Sequence, residues 1–400
     1  MSVRSSLLRP SRFHLAALAL LGSSHAMASV IVAPHGAGRD ADLAGATVAS
    51  PGDPGSNLLV NPAGVVGATR DQAMVGLLAF NFTGEYRNDA IGYEGSGSQS
   101  PMGIDFWYGL GEIGGWSMGV GMYGSIGAAF TLPADPDVGV NSPYTGKLSI
   151  INLGFNIGKE LTEGLKVGLQ LSPRYGRQKT QLPSPLGNVE FVADGIGGSA
   201  TLGMVYEWTP ALSVGLSYRS RGFVDMRGDG KVGGVAQDVD VNFVTPASLL
   251  GGFAYQWSNN LNLMAQIQWT SYKDFEKGDV EFQTSTALNG PTISNTHDRT
   301  RWAVAAEYKV VENSTLRVGY TVGEAMIDDS AVRPNLFDHD NHMIMIGYEI
   351  DYEKFMVGFT TGYVDLKTRN ISASQNANFP GRYDSDSDVS GGFRVTWKLR

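Results

Sequence analysis

The strongest constraint on this chain is an alternation of period two that recurs from about residue 72 to the end. Ile151, Leu153, Phe155 and Ile157 alternate with Asn152, Gly154, Asn156 and Gly158. Leu316, Val318, Tyr320 and Val322 alternate with Arg317, Gly319, Thr321 and Gly323, and runs at 212–219, 261–269 and 355–360 behave alike. Successive strand side chains point to opposite faces, so each run belongs to a sheet with two unlike faces. A soluble sandwich alternates too, but its outer face is richly charged. Here the polar face is mostly Gly, Ser, Asn, Gln and Thr, which accounts for 52 glycines in 400 residues. Aromatic residues gather near strand ends (Tyr218, Trp257, Trp269, Tyr272, Trp302, Tyr308, Tyr363, Trp397), as in the girdles of a bilayer interface. No run of ~20 apolar residues is present, so spanning helices are excluded.

The connections carry more information than the strands. About fourteen strands are expected. Short links fall at 111–114, 159–163, 209–210, 258–259, 311–313 and 353. Long links fall at 84–100, 130–145, 180–197, 225–236, 274–298, 327–340 and 368–387. Strict alternation of short and long is the organisation of an all-β transmembrane antiparallel barrel with tight periplasmic turns and longer external loops. An even strand count puts both termini on the periplasmic side. Closure removes the unpaired edges that lipid would not tolerate. Phe393, Val395, Trp397 and Leu399 share one face of the last strand and resemble the signal read by the barrel-assembly machinery, although the chain ends on Arg400.

The N-terminus reads as an export signal over residues 1–28: Arg4, Arg9 and Arg12 precede the apolar Phe13 to Leu21, and Ala26-Met27-Ala28 forms a cleavage site. Its removal lowers the basic count from 30 to 27 against 39 acidic residues, a net charge of −12. An acidic exported chain argues against nucleic-acid binding. The absence of cysteine removes disulfides, thiolate–zinc sites and thiol catalysis. Export without cysteine fits a Gram-negative envelope protein.

Between the signal and the first strand, residues 29–71 show no strand pattern and are rich in small residues. Inside a barrel of this size a lumen holds either water or a plug, so the segment is placed in the lumen, with a free periplasmic tail as the alternative. The domain reading is thus a signal over 1–28, a plug over 29–71 and a barrel over 72–400.

Several stretches carry a resemblance. Ala44-Gly45-Ala46 and the run Asn57-Leu58-Leu59-Val60-Asn61-Pro62-Ala63-Gly64-Val65 resemble the small-residue hatch and Asn-Pro-Ala signature of the FadL-type long-chain fatty acid transporters of the outer membrane. Met122-Tyr123-Gly124-Ser125-Ile126-Gly127, Gln268-Trp269-Thr270-Ser271-Tyr272-Lys273-Asp274-Phe275 and Ile327-Asp328-Asp329-Ser330 match further along. The resemblance implies a monomeric fourteen-stranded barrel with an N-terminal hatch, no cofactor, and a hydrophobic small-molecule substrate. That substrate is bound in the lumen and released sideways where the third strand kinks, by diffusion alone. Asn61, Pro62 and Ala63 then position the hatch, Gly124 and Gly127 form the wall opening, and Asp328 and Asp329 lie near the lumen mouth. Two departures bear on substrate. Ser29 to His35 lacks the family's glycine–aromatic opening, and the third external link, 180–197, is short where fatty-acid members have a long helical one. Fatty acids, other lipids and aromatic hydrocarbons therefore stay open.

Residue chemistry agrees. Glycines at 119, 121, 124 and 127 weaken a strand ladder and favour a bulge, though glycine is common throughout. Pro246 has no amide hydrogen and belongs at a break. Asn61-Pro62 marks a turn and offers a capping side chain, with an ordinary turn before the first strand as the simpler reading. Gly119-Val120-Gly121-Met122-Tyr123-Gly124 lacks the helix of a dinucleotide site. Ser117 in Gly115-Trp116-Ser117-Met118-Gly119 lacks the strand–turn–helix of a nucleophile elbow. After signal removal the histidines are His35, His297, His339 and His342, and no triad is assembled from them. Neither Asp384 to Asp388 nor Asp338 to His342 completes a metal ligand set, so no metal, cofactor or catalytic residue is expected. Tyr175, Arg177 and Lys179 suit contact with outer-membrane lipid and lipopolysaccharide phosphate, or form an ordinary charged rim. The competing function is a general porin for hydrophilic solutes. A porin would need facing acid and base clusters at a constriction, and the small neutral face shows none.

Overall fold

The computed structural model describes residues 36–66, 72–99, 102–184, 186–334, 336, 338–385 and 388–398. The expected export signal and the start of the mature chain lie outside these residues. Fourteen strands close a barrel: β1 (Gln72–Phe80), β2 (Met102–Ile113), β3 (Trp116–Leu132), β4 (Tyr144–Thr162), β5 (Leu165–Leu182), β6 (Val189–Thr209), β7 (Leu212–Arg219, continued as Gly222–Val232), β8 (Val235–Thr245, continued as Ser248–Ser258), β9 (Leu261–Thr270), β10 (Arg299–Val311), β11 (Ser314–Gly323), β12 (Asn341–Asp351), β13 (Phe355–Leu366) and β14 (Asp388–Lys398). Each is antiparallel to its neighbour, and β1 pairs with both β2 and β14, from Gln72↔Lys398 to Phe80↔Ser390.

The faces are inverted relative to a soluble protein. On β4 the apolar Leu153 and Phe155 are exposed, while Asn152 and Asn156 are buried inside. Exposed Trp208, Trp257 and Tyr308 ring the short-turn end, and Tyr218, Phe223 and Trp302 the other. On β10, Trp302 and Tyr308 lie six residues apart; at ~3.4 Å per residue that is about 20 Å along a tilted strand, which fits inside an apolar band of about 25 Å.

Several of the links predicted as long are partly strand. Residues 225–236 form the tip of a hairpin whose turn is Gly233-Gly234, both with left-handed φ (57° and 85°). Asp225, Arg227, Asp229 and Lys231 look loop-like in sequence, but they are only the outer face of a wall that continues beyond the apolar band, with Val224, Met226 and Val232 buried behind them. The link 180–197 shrinks to residues 183–188 for the same reason. Residues 84–100 and 368–387 supply Phe82–Asn88, Tyr93–Gln99, Arg369–Ile371 and Gly381–Ser385, which build a separate four-stranded sheet over the mouth. Pro246 stands where expected, at the break between the two segments of β8.

The described part of the N-terminal segment lies within the barrel at the short-turn end. It holds α1 (Arg39–Asp42), α2 (Pro54–Leu59) and a 3-10 turn (Pro62–Val65), and every residue of both helices is buried.

Candidate functional site

Glycines on the inner wall make room for the plug. A Cβ on Gly203 would stand 2.0 Å from Asn61 Oδ1 and 2.8 Å from Pro62 Cδ. On Gly168 it would meet the Pro62 carbonyl at 2.3 Å, on Gly319 the Leu43 carbonyl carbon at 2.2 Å, and on Gly347 the Asp42 carboxyl carbon at 2.0 Å. Any larger residue there would displace the plug group packed against it, backbone at Gly168 and Gly319 and side chain at Gly203 and Gly347.

Asn61 closes the plug and ties it to the wall. Its Oδ1 accepts from the Ala63 amide at 3.1 Å, capping the 3-10 turn that Pro62 begins. Its Nδ2 donates to the Val48 carbonyl at 2.7 Å within the plug and to the Met204 carbonyl of β6 at 3.0 Å. Ala63 is fully buried beneath it. The three predicted hatch residues thus sit together at the seam of plug and wall.

An ionic network that the sequence reading missed holds the other end. Asp42 of α1 is fully buried and accepts from Arg317 Nη1 of β11 at 3.2 Å, from Arg394 Nη2 of β14 at 2.7 Å, and from the Thr360 hydroxyl. Glu349 of β12 bridges the same two arginines at 2.9 and 2.8 Å. Glu307 of β10 joins Arg317 at 2.6 Å to Arg39 of α1 at 2.7 Å. Charged side chains on an otherwise small lumen face, each close to a tight turn, were the available signal. Asp40 in the same helix has no such partner. Burial and the nearby Asp53 and Asp105 push its carboxyl well above the usual carboxylate range.

The wall is interrupted beside the plug. β2 and β3 pair from Ile113↔Trp116 only as far as Phe106↔Met122. Beyond Met122, β3 stays hydrogen-bonded to β4 out to Leu132↔Tyr144, with a register shift between Gly124 and Ile126, while Met102–Asp105 of β2 pair with β1 alone. Among the described residues no strand pairing replaces the missing ladder, although Tyr93–Gln99 of the small sheet lies nearby and Tyr93 donates to the Pro133 carbonyl just beyond β3 at 2.8 Å. Gly124 lies at the shift and faces open space, and Gly127 lies three residues further along the unpaired stretch. Tyr123, at the edge, turns inward and donates to Gln170 Oε1 at 3.1 Å. Opposite it, buried Asp105 of β2 accepts from the Ala37 amide at 2.5 Å, fixing the start of the described plug beside the gap.

Toward the long-loop end the lumen becomes apolar. Phe191, Phe243, Phe275, Ile327 and Val332 are buried in one large cluster that continues into Tyr86, Tyr93 and Tyr383 under the small sheet. Asp328 and Asp329 lie above it in the link after β11. Asp328 meets His297 Nδ1 at 2.9 Å, while Asp329 pairs with Arg369 at 2.5 Å and accepts from Gln375 at 2.8 Å. Both stitch neighbouring links together. A polar crevice of about 340 Å³ opens at the opposite end beside Ser50, Gln256, Asn260 and Glu307. Among the described residues no group of three metal-ligating side chains converges.

The chain is similar in fold to several solved outer-membrane channels. A FadL homologue of Pseudomonas aeruginosa superposes with a TM-score of 0.77 at 14% identity, covering 92% of this chain and 100% of that one. The toluene transporter TodX of Pseudomonas putida gives 0.73 at 16%, over 94% and 100%, and the toluene transporter TbuX of Ralstonia pickettii gives 0.68 at 16%, over 90% and 97%. No curated protein matches it in sequence. The family model for outer membrane protein transport proteins matches residues 19–395. Barrel, plug and family match agree, and the chain belongs to the outer membrane protein transport protein family (OMPP1/FadL/TodX).

Proposed function

We propose that the chain is a monomeric, passive outer-membrane channel for hydrophobic molecules, closed by a hatch of residues 29–71 and releasing its cargo sideways. The observation that carries this reading is the missing β2–β3 ladder beyond Met122, directly beside the plug. A solute dissolved in the aromatic upper lumen has two ways on. The crevice beside Ser50 is polar and disfavours it, and in this reading the unpaired stretch of wall leads to the bilayer. In this reading the long-loop end faces outward among lipopolysaccharide, both termini are periplasmic, and the barrel is inserted by the assembly machinery. Asn61, Pro62 and Ala63 hold the hatch, Gly124 and Gly127 give the gap its width, and Asp328 and Asp329 fasten the mouth. Movement down a gradient calls on no catalytic residue. The toluene transporters TodX and TbuX share the fold, which supports a hydrophobic cargo.

The test pairs two measurements on the reconstituted chain. Vesicle uptake of radiolabelled hydrophobic compounds (a long-chain fatty acid and toluene) is expected together with a low, unsteady conductance. A large stable conductance without uptake would instead identify a hydrophilic porin. Deleting residues 36–60 is expected to open a conductance; an unchanged one would mean that these residues do not plug the barrel.

A further inference from the structure

The outer face of the wall changes character where it leaves the apolar band. On β4 the outward-facing Leu153 and Ile151 give way to Ser149 and Lys147 toward the long-loop end, and on β5 Leu171 and Tyr175 give way to Arg177 and Lys179. The register sets Lys147 opposite Lys179 and Ser149 opposite Arg177. Three cations therefore share two neighbouring cross-strand pairs, two residues or ~7 Å apart along the strands. Like charges directly opposite each other in a ladder are unfavourable.

Cations at the same height on the next strands are neutralised within the wall. Lys231 of β7 pairs with Glu190 of β6 at 3.5 Å, and Arg227 of β7 with Asp240 of β8 at 3.6 Å. Asp194 of β6 stands opposite Arg177 in the ladder but makes no ion pair with it. Among the described residues, neither Lys147 nor Lys179 has a carboxylate partner either. Directly below the three cations the wall presents exposed Leu153, Tyr175, Leu171 and Ile196 to the bilayer. The patch also borders the gap, because Lys147 pairs with Ala129 of β3, in the stretch that has no β2 partner.

Unpaired cations above an apolar surface fit an amphipath with an anionic head and acyl chains. Answering three cations takes a head with more than one charge, and phosphate oxygens accept charge-assisted hydrogen bonds from ammonium and guanidinium groups alike. At the outward end of an outer-membrane barrel, the lipid with such a head is the phosphorylated glycolipid of the outer leaflet. We propose that Lys147, Arg177 and Lys179, above Tyr175, form a binding site for the phosphates of lipopolysaccharide and seat one such glycolipid beside the gap in the wall. Lys147, thirty residues before Arg177, completes a set that the sequence of β5 showed only in part. The inference rests on the outward orientation of the long-loop end taken in the channel reading.

The test uses the full chain purified in detergent, with diphosphoryl lipid A, its dephosphorylated form and phosphatidylglycerol as probes and native mass spectrometry as the readout. Wild type is expected to hold one diphosphoryl lipid A, about 10- to 100-fold more tightly than the dephosphorylated form, the range for a few cations near a membrane surface. Replacing all three cations (Lys147→Gln, Arg177→Gln, Lys179→Gln) is expected to abolish that preference. Arg227→Gln with Lys231→Gln, at the same height but already paired, is expected to leave it intact. Heat-modifiable migration on gels confirms folding, and the double variant Lys147→Gln, Lys179→Gln replaces the triple one if that does not fold. A preference that survives in the triple variant would overturn the proposal, as would an equal loss in the paired-cation control or phosphatidylglycerol bound as tightly as lipid A. Orientation is read separately through Val235→Cys, exposed beside the Gly233-Gly234 turn in a chain without native cysteine. Labelling of intact cells by a membrane-impermeant maleimide is expected. Without labelling, the orientation and the site fall together; with labelling but no lipid A preference, the site alone falls. A chain that binds lipid A yet takes up no hydrophobic compound keeps the site and loses the channel reading.

Discussion

The two halves of the lumen are held together by opposite chemistry. At the short-turn end, contacts between plug and wall are directional: Asp42 between Arg317 and Arg394, Asn61 on the Met204 carbonyl, and backbone packed on glycines. At the long-loop end the filling is aromatic and aliphatic, and the polar pairs sit above it, between links. Apolar contact is non-directional and grades smoothly with position, so the upper half can accept a greasy solute in many poses. Ion pairs and caps have one geometry, so the lower half keeps the plug in one. The gap in the wall lies at the boundary, where Tyr123 and Asp105 face each other across missing hydrogen bonds.

Changes on the ionic side should cost most. Asp42→Ala removes the plug's carboxylate from two buried arginines, which keep only their wall partners Glu349 and Glu307, and is expected to weaken plug docking by up to about 3–5 kcal/mol. Faster amide exchange over residues 36–66 and a raised conductance are the readouts; protection equal to wild type would show that the network is not what holds α1. Next comes steric exclusion. Gly203→Val should cost about 1–3 kcal/mol by pushing on Asn61 and Pro62, whereas Gly124→Val meets open space and should leave stability unchanged while slowing uptake through a narrowed gap. If the two valines behaved alike in thermal unfolding, the contrast between lined and open wall would be lost. Asn61→Ala removes a cap and a wall contact and is expected to cost about 0.5–2 kcal/mol, read as exchange confined to residues 60–66.

The smallest expected effect belongs to the upper half and depends on pH. His339 is fully buried and its Nδ1–H donates to the Lys367 carbonyl at 2.8 Å, with Asp338, Asp384 and Arg369 as its charged neighbours. Burial holds its pKa below 6.5. A depressed histidine favours the neutral folded form, so its contribution is complete above pH 6.5 and is lost as pH falls toward the folded value. The slope is at most about 1.4 kcal/mol per pH unit. Acidification should loosen the links after β11 and β13 before it touches the plug, and His339→Asn should flatten that dependence. Simultaneous loosening of both regions would mean that the halves are not independent.

Much of this molecule was legible in its sequence. The period of two, the aromatic strand ends and the alternating link lengths are local consequences of a wall with lipid on one side, and each strand records them separately. Asn61-Pro62 announced a cap and Pro246 a break because backbone chemistry acts within a few residues. Strand ends beyond the bilayer were misjudged, since Asp225 to Lys231 turn polar once the outer face leaves the apolar band, although the hydrogen bonding continues. The ionic network joins Arg39 and Asp42 to residues about 270 to 350 positions away, and no local pattern encodes which arginine meets which carboxylate. The same holds for the inner glycines, which look like generic lining until Asn61, Leu43 and Asp42 are placed against them. By itself the sequence determined that the chain is a membrane barrel preceded by a segment without strand pattern, because solvent and lipid select residues one face at a time. Only closure of the barrel decided where the plug is anchored and where the wall is left unpaired, because those depend on strands brought together from opposite ends of the chain.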